Sequence, residues 1–287
     1  MRQPAVAGQF YPATRGSLKR AIEESFLHPL GPTVIPEPPQ RRIGKVIGTV
    51  NPHAGYVYSG PVAAHSVKAI VEDGIPPVVV FIGPNHTGYG APVSLSTEDF
   101  KTPLGVIKNA IELSEALSRY IEVDELAHLM EHSIEVQMPF FQYFSSDFRI
   151  VPIVMGDQSF SAAKRVSEAL LKVLEGVDFA IVASSDFTHC GFAYGQMPPP
   201  GVTAGEFAKE QDSKAIERIL GLDPEGLYRV REEINLTMCG YGPVSVLMMV
   251  AKALGYEKAE LLKYATSADI HPGDIAVGYC SIAFRRE

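Results

Sequence analysis

Four side-chain groups in this 287-residue chain have the types and placement to do chemistry. His53 lies in Asn51-Pro52-His53-Ala54-Gly55-Tyr56-Val57-Tyr58-Ser59-Gly60, directly after the apolar β-type run Lys45 to Val50. His86 lies in Gly83-Pro84-Asn85-His86-Thr87-Gly88, directly after Val78 to Ile82. Asp186 and His189 follow the strand-like Asp178 to Ala183, in Ser184-Ser185-Asp186-Phe187-Thr188-His189. Cys239 sits beside Gly240, just ahead of a helix whose first turn begins with Pro243. Two neutral imidazoles and a thiolate make a three-ligand set with a coordination position left open, as in a reactive metal site and unlike a closed structural one. His and Cys together suit Fe(II), Zn(II) or copper, and ligand type alone does not choose among them. The positive end of the helix after Cys239 is expected to lower its thiol pKa.

Each residue also has a plain reading. His53 and His86 taken singly are loop-packing histidines, Cys239 an inert buried thiol, and Asp186 and His189 a turn cap. Their joint placement at strand and helix ends favours a site, because open α/β sheets gather chemistry at the carboxyl ends of their strands. His28, His65 and His271 read as structural. A competing pattern is His128-Leu129-Met130-Glu131-His132, which matches the His-x-x-Glu-His arrangement of inverzincin proteases, with Glu206 or Glu210 as sources of a third ligand. A Cys–His hydrolase built on Cys239 and His189 has no signature to support it.

The elements that must position these groups follow an alternation of strands and helices. Continuous β-branched runs such as Val78 to Ile82 indicate strands buried on both faces. Helices are expected over 61–72, with Ser59 as cap, over 110–120, 125–139, 161–174, 204–220 and 244–254. A short one is expected over 17–26. Strands are expected at 45–50, 78–82, 93–97, 149–155, 178–183, 260–266 and 276–284. This order predicts an α/β fold in one domain spanning 1–287: an α/β/α sandwich whose central sheet is mostly parallel or mixed, with an antiparallel edge. Pro29 to Arg42 holds five prolines and is the one candidate flexible loop.

Composition excludes several function classes. The net charge is −8 and basic residues never form a run, so nothing supplies a nucleic-acid or anionic-membrane surface. No apolar stretch approaches the length of a membrane span, and the first twelve residues lack a signal-peptide core. Three cysteines do not make a disulfide framework, so a reducing, cytoplasmic setting is the expectation.

Taken together, Ala7-Gly8-Gln9-Phe10-Tyr11-Pro12, Pro52 to Gly60, Gly83-Pro84-Asn85-His86, Glu131-His132-Ser133-Ile134-Glu135, Ser184 to His189 and Cys239-Gly240 resemble the Memo family, in order and over nearly the whole chain. That family is similar in fold to the LigB-like class III extradiol ring-cleaving dioxygenases. The resemblance implies a crevice at one sheet edge where His53 and His86 match the dioxygenases' metal-binding histidines and Cys239 stands where those enzymes place a glutamate. It further implies an acid/base role for His189, with Asp186 and His132 lining the same crevice. One ion per chain is implied, Fe(II) first, and the softer thiolate brings copper or zinc into play. The family's archaeal and bacterial members resemble one component of a set that includes an AMMECR-type protein and a radical SAM protein, which implies partners of those kinds. Dioxygenase-like redox or O2 chemistry on a small molecule is the leading expectation. The alternative is a non-catalytic module that binds a peptide or small ligand in the same crevice.

Overall fold

The computed structural model of the protein describes residues 1–286. Its strands are β1 (Val46–Asn51), β2 (Val78–Pro84), β3 (Val93–Leu95), β4 (Phe100–Thr102), β5 (Gly105–Asn109), β6 (Glu122–Val123), β7 (Arg149–Met155), β8 (Phe179–Ser184), β9 (His189–Cys190), β10 (Lys258–Thr266) and β11 (Ala276–Arg285). Its helices are α1 (Arg15–Leu27), α2 (Tyr56–Asp73), α3 (Ile111–Leu117), α4 (Glu125–Leu129), α5 (Met138–Phe144), α6 (Phe160–Val173), α7 (Ala204–Leu220), α8 (Pro224–Glu233) and α9 (Tyr241–Ala253).

The main sheet runs β10-β11-β1-β8-β2-β7-β3-β6. Its centre, β1-β8-β2-β7, is parallel, whereas β11 pairs antiparallel with both β1 and β10, and β3 antiparallel with β7. The mixed sheet expected from the strand–helix alternation is therefore present, and the antiparallel part lies on both flanks of the parallel centre.

Every residue of β1, β2 and β8 is buried. In β2 and β8 the parity of the pleat assigns each residue to one of two cores, since successive side chains point to opposite faces. Val78, Val80, Ile82, Ile181 and Ala183 pack with α6 and α9. Val79, Phe81, Ala180 and Val182 pack with α1, α2 and α5. Unbroken apolar runs are what a strand covered by helices on both sides requires.

The elements depart from the periodicity reading most at α2, over 125–139 and at α8, and the short strands β4, β5, β6 and β9 fall outside it. Helix α2 starts at Tyr56, five residues before the expected Pro61, and Gly55 rather than Ser59 is its N-cap. The Tyr56 amide is satisfied by the carbonyl of Phe10, a partner from the distant amino-terminal segment. The expected helix over 125–139 is broken: α4 ends at Leu129, and the chain turns irregularly before a 3-10 turn at Glu135–Gln137 leads into α5. Helix α8 adds an element that the pattern did not mark. Among the described residues no helix is long and apolar enough to cross a membrane.

Candidate metal centre

Sheet order explains why distant residues meet. β8 lies between β1 and β2, all three parallel, so their carboxyl ends stand side by side at the strand spacing of roughly 5 Å. The loop after β1 delivers His53, the loop after β8 delivers Asp186, and the loop after β2 delivers His86. The segment before α9 closes over them. The Cys239 amide donates to the Asp186 carbonyl (3.3 Å), Gln158 Nε2 donates to the Cys239 carbonyl (2.7 Å), and the Gly240 amide donates to Ser185 Oγ (2.9 Å). Only glycine fits at 240, since a Cβ there would lie 2.3 Å from the Ser184 carbonyl oxygen.

The result is one cluster. One ligand atom each from His53, His86 and Cys239 lies within 4.8 Å of the others. His53 Nε2 is 3.2 Å from Cys239 Sγ, and the Asp186 amide points at the same sulfur from 3.3 Å. The Asp186 carboxylate accepts from the His53 amide (2.7 Å), and its other oxygen lies 3.9 Å from His53 Nε2. Three imidazoles crowd together: His86 and His132 stack at 4.7 Å between centroids, and His53 stands edge-on to both.

Electrostatics follow from burial. Desolvation, aided by the neighbouring His86, His132 and His189, holds the His53 pKa well below its ordinary value, so the ring is neutral. Burial chiefly, against the opposing pull of Glu131 and with His86 adding to it, brings His132 down to about 4. Asp186 is raised by burial against the opposing pull of His189 and of amide hydrogen bonds. Burial, reinforced by Asp186, pushes the Cys239 thiol well up. This reverses the expectation of a thiol lowered by the following helix. Cys239 lies outside the helix, whose N-cap is Gly240, and loss of water outweighs the dipole. A cation is then needed to draw off the proton. Two neutral imidazoles and a thiol that deprotonates onto a cation are a donor set that fits Fe(II), copper or zinc.

The cluster faces a pocket of about 550 Å³. His132, Asp186 and His189, assigned to the crevice by resemblance, all line it. His189 is held on β9 by Thr237, whose Oγ1 accepts from the His189 amide (2.7 Å) and whose carbonyl lies 3.1 Å from Nδ1. Sequence reasoning missed most of the aromatic wall: Phe10, Tyr194 and Tyr279 border the pocket together with Tyr58, and so does His271, which read as structural and meets Tyr58 at 5.5 Å. The Asp-Ile-His-Pro-Gly turn gave no sign of this, because only β11's return past β1 brings it to the pocket.

The His-x-x-Glu-His protease pattern does not assemble. α4 stops between the two histidines, and His128 is buried with Nε2 3.2 Å from the Ser94 carbonyl, away from the pocket. Glu131 accepts from the amides of His132 and Ser133 (both 2.8 Å) and from His86, while Glu206 caps its own helix at Thr203.

Residues 2–283 match the family described as Memo-like protein. The chain belongs to the Memo family. Among Memo relatives, a MEMO1 family protein of Methanothermobacter thermautotrophicus is 43% identical, with 99% of this chain and 100% of that protein covered. One from Ignicoccus hospitalis is 46% identical over 99% and 98% of the two chains. Among solved structures, an uncharacterized protein of Escherichia coli K12 aligns with a TM-score of 0.55, covering 84% of this Memo chain and 100% of its own. At 11% identity that likeness speaks for the fold alone.

Proposed function

We propose that this Memo protein holds one metal ion with His53, His86 and Cys239 and carries out redox or O2 chemistry on a small molecule seated in the adjoining pocket. The observation that carries this reading is the convergence of two imidazole nitrogens and one sulfur within 4.8 Å, with both imidazoles lining that pocket. An ion bound there would supply Lewis acidity and, with Fe(II) or copper, an electron-transfer centre; Fe(II) is the first candidate, with copper and zinc next.

The chain's own residues then have separable tasks. The Thr237 carbonyl can only accept, so His189 carries its proton on Nδ1, and Nε2 is left to take a proton from a bound hydroxyl. Asp186, with its pKa raised by burial, is suited to hold a proton next to His53. Phe10, Tyr58, Tyr194 and Tyr279 shape an aromatic wall that excludes water and orients a planar ligand. The same wall supports the second reading, a binding module whose ligand affinity survives chelator treatment. Pairing with AMMECR-type and radical SAM proteins belongs to the same proposal, and co-purification of the three chains tests it.

The test is metal analysis of anaerobically purified protein. One ion per chain is expected, lost in the His53→Ala/His86→Ala double variant and retained in His128→Ala. Unchanged metal content in the double variant overturns the reading. Oxygen uptake with catechols, dependent on metal and on His189, separates the enzyme from the binding module.

A further inference from the structure

Glu131 lies within reach of His86 and His132, and on composition alone these three would make a second metal-holding group. Its hydrogen bonds assign it another task. Oε1 accepts from the amides of His132 and Ser133 and lies 3.0 Å from His86 Nδ1, while Oε2 accepts from the His86 amide. Four N–H groups thus converge on one fully buried carboxylate, three on Oε1 and one on Oε2, so its charge is already answered by donors of its own chain. The carboxylate has no proton to give, so His86 Nδ1 is the donor. Its Nε2 is therefore bare.

His53 reaches the same state through a neutral route. Ser184 Oγ has a single proton, which it donates to the Ser133 carbonyl at 2.6 Å. Gln137 Nε2 donates to Ser184 Oγ at 3.1 Å, an orientation fixed because the same amide donates to the Pro52 carbonyl at 2.8 Å. The remaining contact, His53 Nδ1 to Ser184 Oγ at 2.8 Å, is then donated by His53. Its bare Nε2 is the nitrogen 3.2 Å from Cys239 Sγ. One segment, Glu131 to Ser133, therefore sets both rings, directly for His86 and through Ser184 for His53. Ser133 Oγ ties that segment to β2 through the Pro84 carbonyl (2.8 Å), an approach open only because residue 83 is glycine.

We infer that Glu131 is the positioning residue of this centre: it fixes the Nδ1–H tautomer and the ring orientation of His86, and so makes Nε2 available to a cation. The inference rests on the metal reading for its purpose but not for its test. Carboxylate partners of ligating histidines raise ligand basicity, and their loss typically costs 10–100-fold in metal affinity.

The experiment is 15N NMR of the histidine side chains in the metal-free full-length protein, paired with Zn(II) titration against a competing chelator. His53 and His86 are both expected as Nδ1–H tautomers. In Glu131→Ala no side-chain acceptor remains for the Nδ1 proton of His86, and the ring is released to the Nε2–H tautomer that a free imidazole favours. The His86 signal should change tautomer, the His53 signal should not, and Zn(II) affinity should fall roughly 10–100-fold. Ser184→Ala should instead release His53 alone. The inference is overturned if wild-type His86 carries its proton on Nε2. It is equally overturned if Glu131→Ala keeps the His86 tautomer and binds Zn(II) within threefold of wild type. If wild type binds none of Zn(II), Fe(II) and Cu(I), the metal reading fails, while the tautomers, read on wild type without any variant, still decide the role of Glu131.

Discussion

Glu135→Ala should be among the most damaging single substitutions in this protein, although the residue touches neither His53 nor Cys239. Glu135 is 1% exposed and Arg2 3%. The carboxylate pairs with Arg2 Nη1, accepts from Tyr11 Oη, and takes the amides of Ala5 (2.8 Å) and Val6 (3.2 Å). Truncation leaves a guanidinium buried without its counter-charge, still donating to the carbonyls of His128 and Glu131, and orphans up to three more donors. Breaking a buried pair by removing one partner costs about 3–5 kcal/mol. For a chain of this size that is about 2 °C in Tm for each kcal/mol, hence a fall of about 6–10 °C. Thermal unfolding followed by circular dichroism measures it, in a double-mutant cycle with Arg2→Met and Glu135→Gln. The double variant Arg2→Met/Glu135→Gln should be less destabilised than the sum of its parts, since no unpaired charge remains. A Glu135→Ala variant within about 1 kcal/mol of wild type, or strictly additive costs, would refute the reasoning. The effect should reach the pocket as well, because Phe10, in the segment that Glu135 pins, packs 4.7 Å from the His132 ring.

Two further outcomes follow from buried acids. The Cys239 thiol is pushed up by burial and by Asp186, whereas His53 is already neutral, so metal loading should release one proton from the sulfur. Zn(II) affinity should then weaken roughly tenfold for each unit fall in pH below the thiol pKa, and a flat profile over pH 6–8 would refute this. Asp212, which accepts from the Thr188 amide (2.9 Å) and Tyr264 Oη (2.7 Å), is raised by burial to about 6. Its folded pKa exceeds the unfolded one, so its contribution is fully present below about pH 4 and lost as pH rises through about 6, on the order of 3 kcal/mol. Asp212→Asn, which still satisfies both partners, should flatten the denaturation midpoint between pH 4 and 6; an unchanged slope would show that the group carries no such linkage.

What was legible in the sequence was whatever local pattern dictates. The β-branched runs at 46–50 and 78–82 can only be covered strands, and the histidines after them had to lie at strand ends. The start of α2 was not legible, because the partner of its first free amide is Phe10, some 46 positions away. The helix over 125–139 failed for a related reason. Its apolar spacing is helical, but Glu131 gains more from a turn that gathers the amides of His132 and Ser133 together with His86. His271, Tyr194 and Tyr279 carried no signal of their own, since their place depends on β11 lying between β10 and β1 and pairing with β9.

That placement of β11 has a consequence for biosynthesis. Phe10 comes from the start of the chain, and Val277 and Tyr279, in the strand that fills the gap between β1 and β10, come from its end. Synthesis must therefore have passed Tyr279 before the pocket has all its walls. Until then His53 and His86 stand in a pocket that lacks one wall, so any ligand that needs the finished cavity would enter only after residues 10 to 279 have come together.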